Sequence, residues 1–205
     1  MKTRTAVVLS LLALSLSVAP GIALAQGDKP AAPPGMDHAA MEAAVKAATP
    51  GEHHKHLQHM VGDWTYSSKM WTAPGQPAMD SKGTIHSDSI LGGRYVLSVY
   101  KGDMMGQPFE GHSTDGYDNN TGKFVSSWVD NMGTGIMNST GSCDAPCKVV
   151  TMTSEPMFDP MSGKKMASKE VTTWVDDNNF KFEMFAVDPA GGPEMKVMEV
   201  MAKRK

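Results

Sequence analysis

The sequence predicts an all-β protein in which about ten antiparallel strands form a meander that closes into a barrel. From Gly62 onward, apolar residues recur in short runs with a period of two, the spacing of a strand with one buried face. Turn-forming residues such as Asn119-Asn120-Thr121-Gly122 and Asp177-Asn178 separate these runs, and no helical pattern lies between them. These observations favour an antiparallel meander over an α/β fold.

The expected strands are short and evenly spaced along the chain. The run over 179–187 shows the alternation best, because Phe180, Phe182 and Met184 share one face while Lys181 lies on the other. A meander of this length favours a barrel because closure removes exposed strand edges, and a two-sheet sandwich is the alternative. We expect strands over 63–71, 82–91, 93–101, 106–117, 122–130, 134–142, 147–154, 166–176, 179–187 and 194–203.

The N-terminus of the chain has the pattern of a secretory leader. A basic start precedes an apolar stretch from Ala6 to Val18, and Ala23-Leu24-Ala25 is typical of a cleavage site. We therefore expect residues 1–25 to be a signal peptide and the protein to be periplasmic or secreted. We expect no membrane insertion after cleavage, because no later run has about 18 consecutive apolar residues.

A linker and two short helices are expected between the leader and the strands. Proline-rich sequence favours disorder after the leader, and Asp37 is a suitable N-cap for a helix through AAMEAAVKAA. The segment Thr49-Pro50-Gly51-Glu52 is typical of a capping box opening a second helix to about Met60, whose apolar face, including Leu57, would cover one barrel end. The expected organisation is signal peptide 1–25, disordered linker 26–36, N-terminal helices 37–61 and β-barrel domain 62–205.

Charge argues against a nucleic-acid partner. The chain has a formal net charge of −3 at pH 7 and contains no basic run. It therefore lacks the electrostatic pattern that nucleic acid or an anionic membrane surface requires. The sequence gives no indication of the oligomeric state.

The two cysteines of the chain are Cys143 and Cys147, separated by Asp-Ala-Pro. In an oxidising compartment, this spacing indicates a disulfide across a tight hairpin. A redox-active pair is the alternative, although oxidoreductases favour a two-residue spacing near a βαβ pattern. The spacing therefore favours a structural disulfide.

Four segments of the chain form a recognisable pattern: HHKHLQHMVGDW at 53–64, LGGRYV at 91–96, GYDNNTGKFVSSWVDNMGTG at 116–135 and EMKVMEVMAKRK at 194–205. With these segments the chain resembles a known bacterial family, the domain-of-unknown-function family catalogued as number 1579. The resemblance implies a lipocalin-like, ligand-holding barrel and no established reaction. The family pattern has a histidine at the position of His54, whereas His53, His56 and His59 stand where other residues are usual.

The helical histidines are candidate metal ligands. On a helix, His53, His56 and Met60 fall close together, and imidazole with thioether suits Cu(I). A second soft group, Met36-His38-Met41, lies just upstream. The alternative is that the histidines form a solvated helix face while the methionines fill the core. Copper is therefore a candidate cofactor only under the first interpretation.

A second candidate site is a cavity inside the barrel. Pockets of this kind are mostly apolar with a few polar groups, and five strand residues have suitable chemistry. The alternative for the tryptophans is core filling, and the alternative for the aspartate is capping of the turn at 131–133. The candidate ligand-binding residues are Arg94, Tyr117, Trp128, Asp130 and Trp174.

Catalytic signatures are missing from the sequence. It contains no nucleophile elbow, zinc-protease helix, phosphate loop or dinucleotide fingerprint. We therefore predict a non-catalytic periplasmic module that binds a small apolar ligand in a barrel interior. Periplasmic copper binding through the N-terminal helices is the alternative function, and an enzymatic activity has no positive support.

Overall fold

The computed structural model describes residues 37–160 and 162–205. The expected signal peptide and linker lie outside the described residues. The chain divides into two units, Met1–Met41 and Glu42–Lys205. In the described part of the first unit, the carboxylate of Asp37 accepts hydrogen bonds from the N–H groups of Ala39 and Ala40, as expected for an N-cap.

Two short helices precede the strands in the part of the chain that the structure describes. Helix α1 spans His38–Ala48, and α2 spans Glu52–Leu57 before a 3₁₀ turn at Gln58–Met60. The predicted capping box at Thr49 is wrong, because Gly51 is the N-cap of α2 and the Thr49 hydroxyl donates to the Val45 carbonyl instead. Among the described residues, no helix is both long and apolar enough to cross a bilayer.

Eleven strands follow the helices, close to the predicted positions. The three-residue strand β8 was not predicted, and it follows Glu155-Pro156, where proline cannot continue the backbone hydrogen bonding of a strand. The strands are β1 (Gly62–Met70), β2 (Met79–Ile90), β3 (Tyr95–Met104), β4 (Gln107–Asp118), β5 (Lys123–Asp130), β6 (Met137–Cys143), β7 (Val149–Ser154), β8 (Met157–Asp159), β9 (Lys164–Asp176), β10 (Asn179–Val187) and β11 (Met195–Arg204).

The strands form a closed antiparallel barrel, as predicted. Each strand from β1 to β6 pairs with its successor, β9 pairs with both β7 and β10, and β11 pairs with β10 and β1. Ten strands therefore complete the ring, while β8 pairs only with the start of β9. The closed ring is consistent with a lipocalin-like barrel and rules out the two-sheet sandwich.

The hydrophobic core lies at the end of the barrel that α2 covers. Leu57 packs in one buried cluster with Val96, Phe124 and Val150, as the apolar face of the predicted helix suggested. A second cluster forms around Trp64, which has no solvent exposure. This end of the barrel is therefore closed by apolar side chains.

Candidate ligand-binding lumen

The strand register defines which side chains face the barrel interior, here called the lumen. Trp64, Val96 and Phe124 are buried, and every second residue from them along each strand shares their face. Pairing between neighbouring strands extends this assignment around the ring. Away from the apolar end, the inward positions are unusually rich in small residues: Ser87, Ser98, Ser113, Ser126, Ser139, Ser154, Ser168, Gly83, Gly102, Gly111 and Gly141.

The width of the ring and the small inward side chains together determine the space inside the barrel. Barrels of about eight strands are just wide enough for ordinary side chains to fill, and diameter grows with strand number. A ten-stranded ring with small inward residues is therefore wide, although the Tyr66 ring packs over Gly83 and Gly102 and the Trp128 ring packs over Gly111. Consistent with this, the inward-facing Tyr100, Ser126 and Trp128 remain half-buried rather than fully buried.

Asp115 places the first carboxyl group on the lumen wall. The Ser113 hydroxyl donates to Asp115 Oδ2 at 2.7 Å, and the Ser126 hydroxyl forms a second hydrogen bond to this carboxyl. Burial raises the pKa of Asp115, and the two serine hydrogen bonds only partly oppose this change. The Tyr100 hydroxyl lies against Ser113, and burial also raises the pKa of Tyr100.

Glu170 places a second carboxyl group on the lumen wall. Its side chain is 9% exposed, and Oε1 accepts hydrogen bonds from Ser139 at 2.8 Å and Ser168 at 2.9 Å. Burial raises the pKa of Glu170, and the negative charge of Asp115 adds to the increase. The lumen thus holds two carboxyl groups that resist being ionised together.

Trp128 and Asp130 form one side of the lumen, and the sequence predicted both as ligand contacts. Trp128 Nε1 donates to Asp130 Oδ2 at 2.7 Å, and its ring lies edge-on to Tyr100 with 5.0 Å between centroids. Asp130 Oδ1 also accepts the N–H of Met132 at 2.9 Å, so this carboxylate caps the turn after β5. The turn-capping alternative for Asp130 is therefore confirmed, and its role as a ligand contact stays a prediction.

Tyr117 and Trp174 face inward at the end that α2 covers. The Tyr117 ring lies 4.3 Å from the His53 ring, and the Trp174 ring lies 5.4 Å from that of Phe180. These two predicted ligand contacts therefore take part in the apolar packing that closes the barrel.

Arg94 lies outside the lumen. It is exposed in the turn between β2 and β3, rather than within the strand predicted to begin at residue 93. Its guanidinium donates to the carbonyls of Leu91 at 3.0 Å and Ala48 at 2.8 Å. Two preceding glycines with positive φ, Gly92 and Gly93, extend the turn and so delay the start of β3.

The helical histidines differ in their surroundings. His54 is buried, its Nδ1 accepts the Gly51 N–H at 3.0 Å, and the ring also bonds to the Tyr117 backbone. His53 and His56 are half-buried, and His59 is exposed. The solvated-face alternative thus holds for His59 alone. Met60, the third predicted metal ligand, packs against the core cluster around Leu57.

The predicted disulfide between Cys143 and Cys147 is confirmed. It spans the turn between β6 and β7, beside α2. His53 Nδ1 lies 3.9 Å from Cys147 Sγ. The predicted partners of His53 in a metal site were His56 and Met60. Sequence spacing on one helix could not reveal the cysteine pair that tertiary packing brings beside His53.

Two surface concavities lie outside the lumen. One, of about 390 Å³, is bordered by outward-facing residues such as Lys69, Asp80 and Glu199. The other, of about 470 Å³, lies near Pro156 and Asp188. Neither contains a buried polar group, so the lumen is the better candidate site.

The fold and site define a closed antiparallel barrel with a polar lumen. Residues 49–204 match the family described as "Protein of unknown function (DUF1579)", and the chain belongs to this family. No curated protein matches the chain. Among solved structures, the chain is similar to a redesigned β-barrel at 13% identity and a TM-score of 0.37, covering 73% of this chain and 94% of the other.

Sequence reasoning missed the lumen residues with the strongest chemistry, Asp115 and Glu170. A usable signal was present, because each acid lies at an inward position of its strand. In β9, Met166, Ser168, Glu170, Thr172 and Trp174 alternate with outward residues. An acid in phase with buried neighbours indicates a lumen position, even though acidic residues are usually exposed.

Proposed function

We propose that this protein is a non-catalytic binding module that holds a small, largely apolar ligand in its barrel lumen. The observation that carries the proposal is the pair of inward-facing carboxyl groups, half-buried Asp115 and buried Glu170, on a wall rich in serine and glycine. Buried polar groups of this kind fix the orientation of a ligand, while neighbouring aromatic and methionine side chains contact its apolar body.

The hydrogen bonds made by Glu170 in the lumen favour a ligand with at least one donor group. The Oε1 atom of Glu170 accepts from two serines, while Oε2 receives no hydrogen bond in the described part of the chain. A ligand N–H or O–H would satisfy that atom, and a cationic group would also offset the repulsion between the two carboxyl groups. An anionic ligand would be repelled by the same pair.

The proposed location is the periplasm or another oxidising compartment. The leader-like pattern of residues 1–25 supports it, as does the Cys143–Cys147 disulfide. A barrel released into such a compartment would carry its ligand sheltered from water.

The test uses N-phenyl-1-naphthylamine, a neutral apolar dye with one N–H donor that fluoresces in apolar surroundings. We expect saturable binding of one dye per barrel. Ser126→Phe, which places a ring on the inward face of β5, should abolish the increase in fluorescence. Ser127→Phe, on the outward face of the same strand, is the matched control and should bind as the wild type does.

Far-ultraviolet circular dichroism and thermal unfolding establish that both variants are folded before dye is added. Equal binding by the two folded variants, or no saturable binding by the wild type, would rule out the lumen as the site.

A further inference from the structure

Three potential metal-ligating side chains meet beside α2. Ligand atoms of His53, Cys143 and Cys147 all lie within 4.8 Å of one another, although the two sulfurs are joined as a disulfide. The imidazole comes from α2, and the cysteines flank the turn between β6 and β7. The cluster is thus assembled by tertiary packing.

The spacing of the histidine and Cys147 already suits a shared metal ion. Zinc sites have metal–sulfur distances of about 2.3 Å and metal–nitrogen distances of about 2.0 Å, so tetrahedral ligands are separated by roughly 3.5 Å. The observed distance from His53 Nδ1 to Cys147 Sγ is 3.9 Å. Once the disulfide is opened, rotation of the Cys143 side chain alone can bring the second sulfur to a ligand distance.

The surroundings hold the ligands in place and leave a route of entry. Cys147 is 8% exposed and packs with Leu57 and Val150, while the His53 ring is held between Tyr117 and the disulfide. Cys143 is only half-buried, so reductant and metal can approach from its side. Packing therefore pre-organises two ligands and leaves the third free to adjust.

We propose that reduction of the Cys143–Cys147 disulfide converts this cluster into a binding site for a thiophilic metal ion, held by two thiolates and His53 Nδ1. A dithiol reductant supplies two electrons and two protons, which give two thiols as the reductant becomes a disulfide. Metal binding then releases both thiol protons, because thiolates are the ligands. The oxidised protein lacks these ligands, so binding depends on the redox state.

The ligand chemistry suits Cu(I) or Zn(II), since thiolates select both ions. This site shares His53 with the helix-face site predicted from sequence, but it replaces the other two ligands. Met60 is turned into the core cluster, and His56 lies beside His59, with 5.6 Å between ring centroids. The two sites therefore predict different effects of the same substitutions.

Metal affinity of the full-length protein is measured anaerobically by competition with a chromophoric chelator, in separate arms for Cu(I) and Zn(II). We expect reduced wild type to bind one ion with thiolate-to-metal charge-transfer absorption, at least about 100-fold tighter than oxidised protein, since even outer-shell losses cost 10–100-fold. His53→Ala and the double variant Cys143→Ser/Cys147→Ser should lose this affinity. His59→Ala, an exposed histidine nearby, is the matched control.

Circular dichroism of the reduced protein and of each variant first establishes that the barrel is intact. Equal affinity of the oxidised and reduced proteins would overturn the proposal, as would undiminished binding by the double cysteine variant. Binding that is lost with His56→Ala and retained by the double cysteine variant would overturn it in favour of the helix face.

Discussion

The guanidinium of Arg204 lies over the ring of Trp64, with 4.0 Å between its central carbon and the ring centroid. The two residues are paired in register on β11 and β1, where the barrel closes. Arg204 also donates to the carbonyls of Val61 at 2.7 Å and His59 at 2.8 Å, and Trp64 Nε1 donates to Met60 at 2.9 Å. These contacts join the closing strand pair to the helical segment.

Arg204→Ala should lower the free energy of unfolding by about 2–3 kcal/mol, because it removes charged hydrogen bonds to three backbone carbonyls together with the ring contact. Arg204→Lys should restore little of this, since a single ammonium cannot reproduce the planar fork. Urea unfolding measures both. Lys203→Ala, exposed on the same strand, is the control, and an equal loss for Lys203→Ala would contradict the role assigned to Arg204.

Glu170 should make stability depend on pH with a sign opposite to that of Glu183. Burial raises the pKa of Glu170, so the folded state binds more protons than the unfolded state above the ordinary glutamate pKa of about 4.3. Stability should therefore fall as pH rises from that value through the raised pKa. Relative to wild type, Glu170→Gln should become more stable as pH rises from 4 toward 7.

Glu183→Gln is the control for this measurement. Hydrogen bonds from Lys181 and Lys196 lower the pKa of Glu183, so its contribution is present at neutral pH and is lost as pH falls through the lowered pKa. Relative to wild type, Glu183→Gln should become less stable as pH rises through the acid range. The same pH trend in both variants would show that folding does not raise the pKa of Glu170.

Local patterns predicted the fold well because each strand carries its own signal. Period-two alternation in β10 and turn residues such as Asp177-Asn178 fixed element type and position. Closure of the barrel could be predicted from the number of strands, because a long meander that closes has no exposed strand edges. The start of α2 was mistaken because Thr49 and Gly51 are both acceptable caps, and the choice depends on His54, whose Nδ1 accepts the Gly51 N–H.

The candidate site could be predicted only in part. Trp128 and Asp130 were found because aromatic and acidic residues on one strand face are visible in sequence. Glu170 and Ser139 form a hydrogen bond although they are 31 positions apart in the sequence. No local pattern predicts a contact at that separation. Arg94 was selected as an arginine within a predicted strand, but it lies in a turn whose geometry directs its guanidinium to backbone carbonyls.

Ser87 and Ser98 should behave as a coupled pair. Both are buried, and their hydroxyls share a hydrogen bond of 2.8 Å. Ser98→Ala alone leaves the Ser87 hydroxyl unpaired and should cost about 1–3 kcal/mol, whereas the double alanine variant should cost less than the sum of the singles. Urea unfolding of the four proteins in the cycle measures the coupling, and strictly additive losses would mean that the two hydroxyls do not depend on each other.

Methionine methyl groups offer the most direct test of a ligand in the lumen, because Met137, Met152 and Met184 face inward while Met201 and Met105 are exposed outside it. The measurement is a ¹³C-methyl methionine spectrum recorded during titration with N-phenyl-1-naphthylamine. We predict saturable shifts at the three inward methionines and unchanged signals from the two exposed ones. Shifts confined to Met201 and Met105 would contradict the account, since they would place the dye on the outer surface.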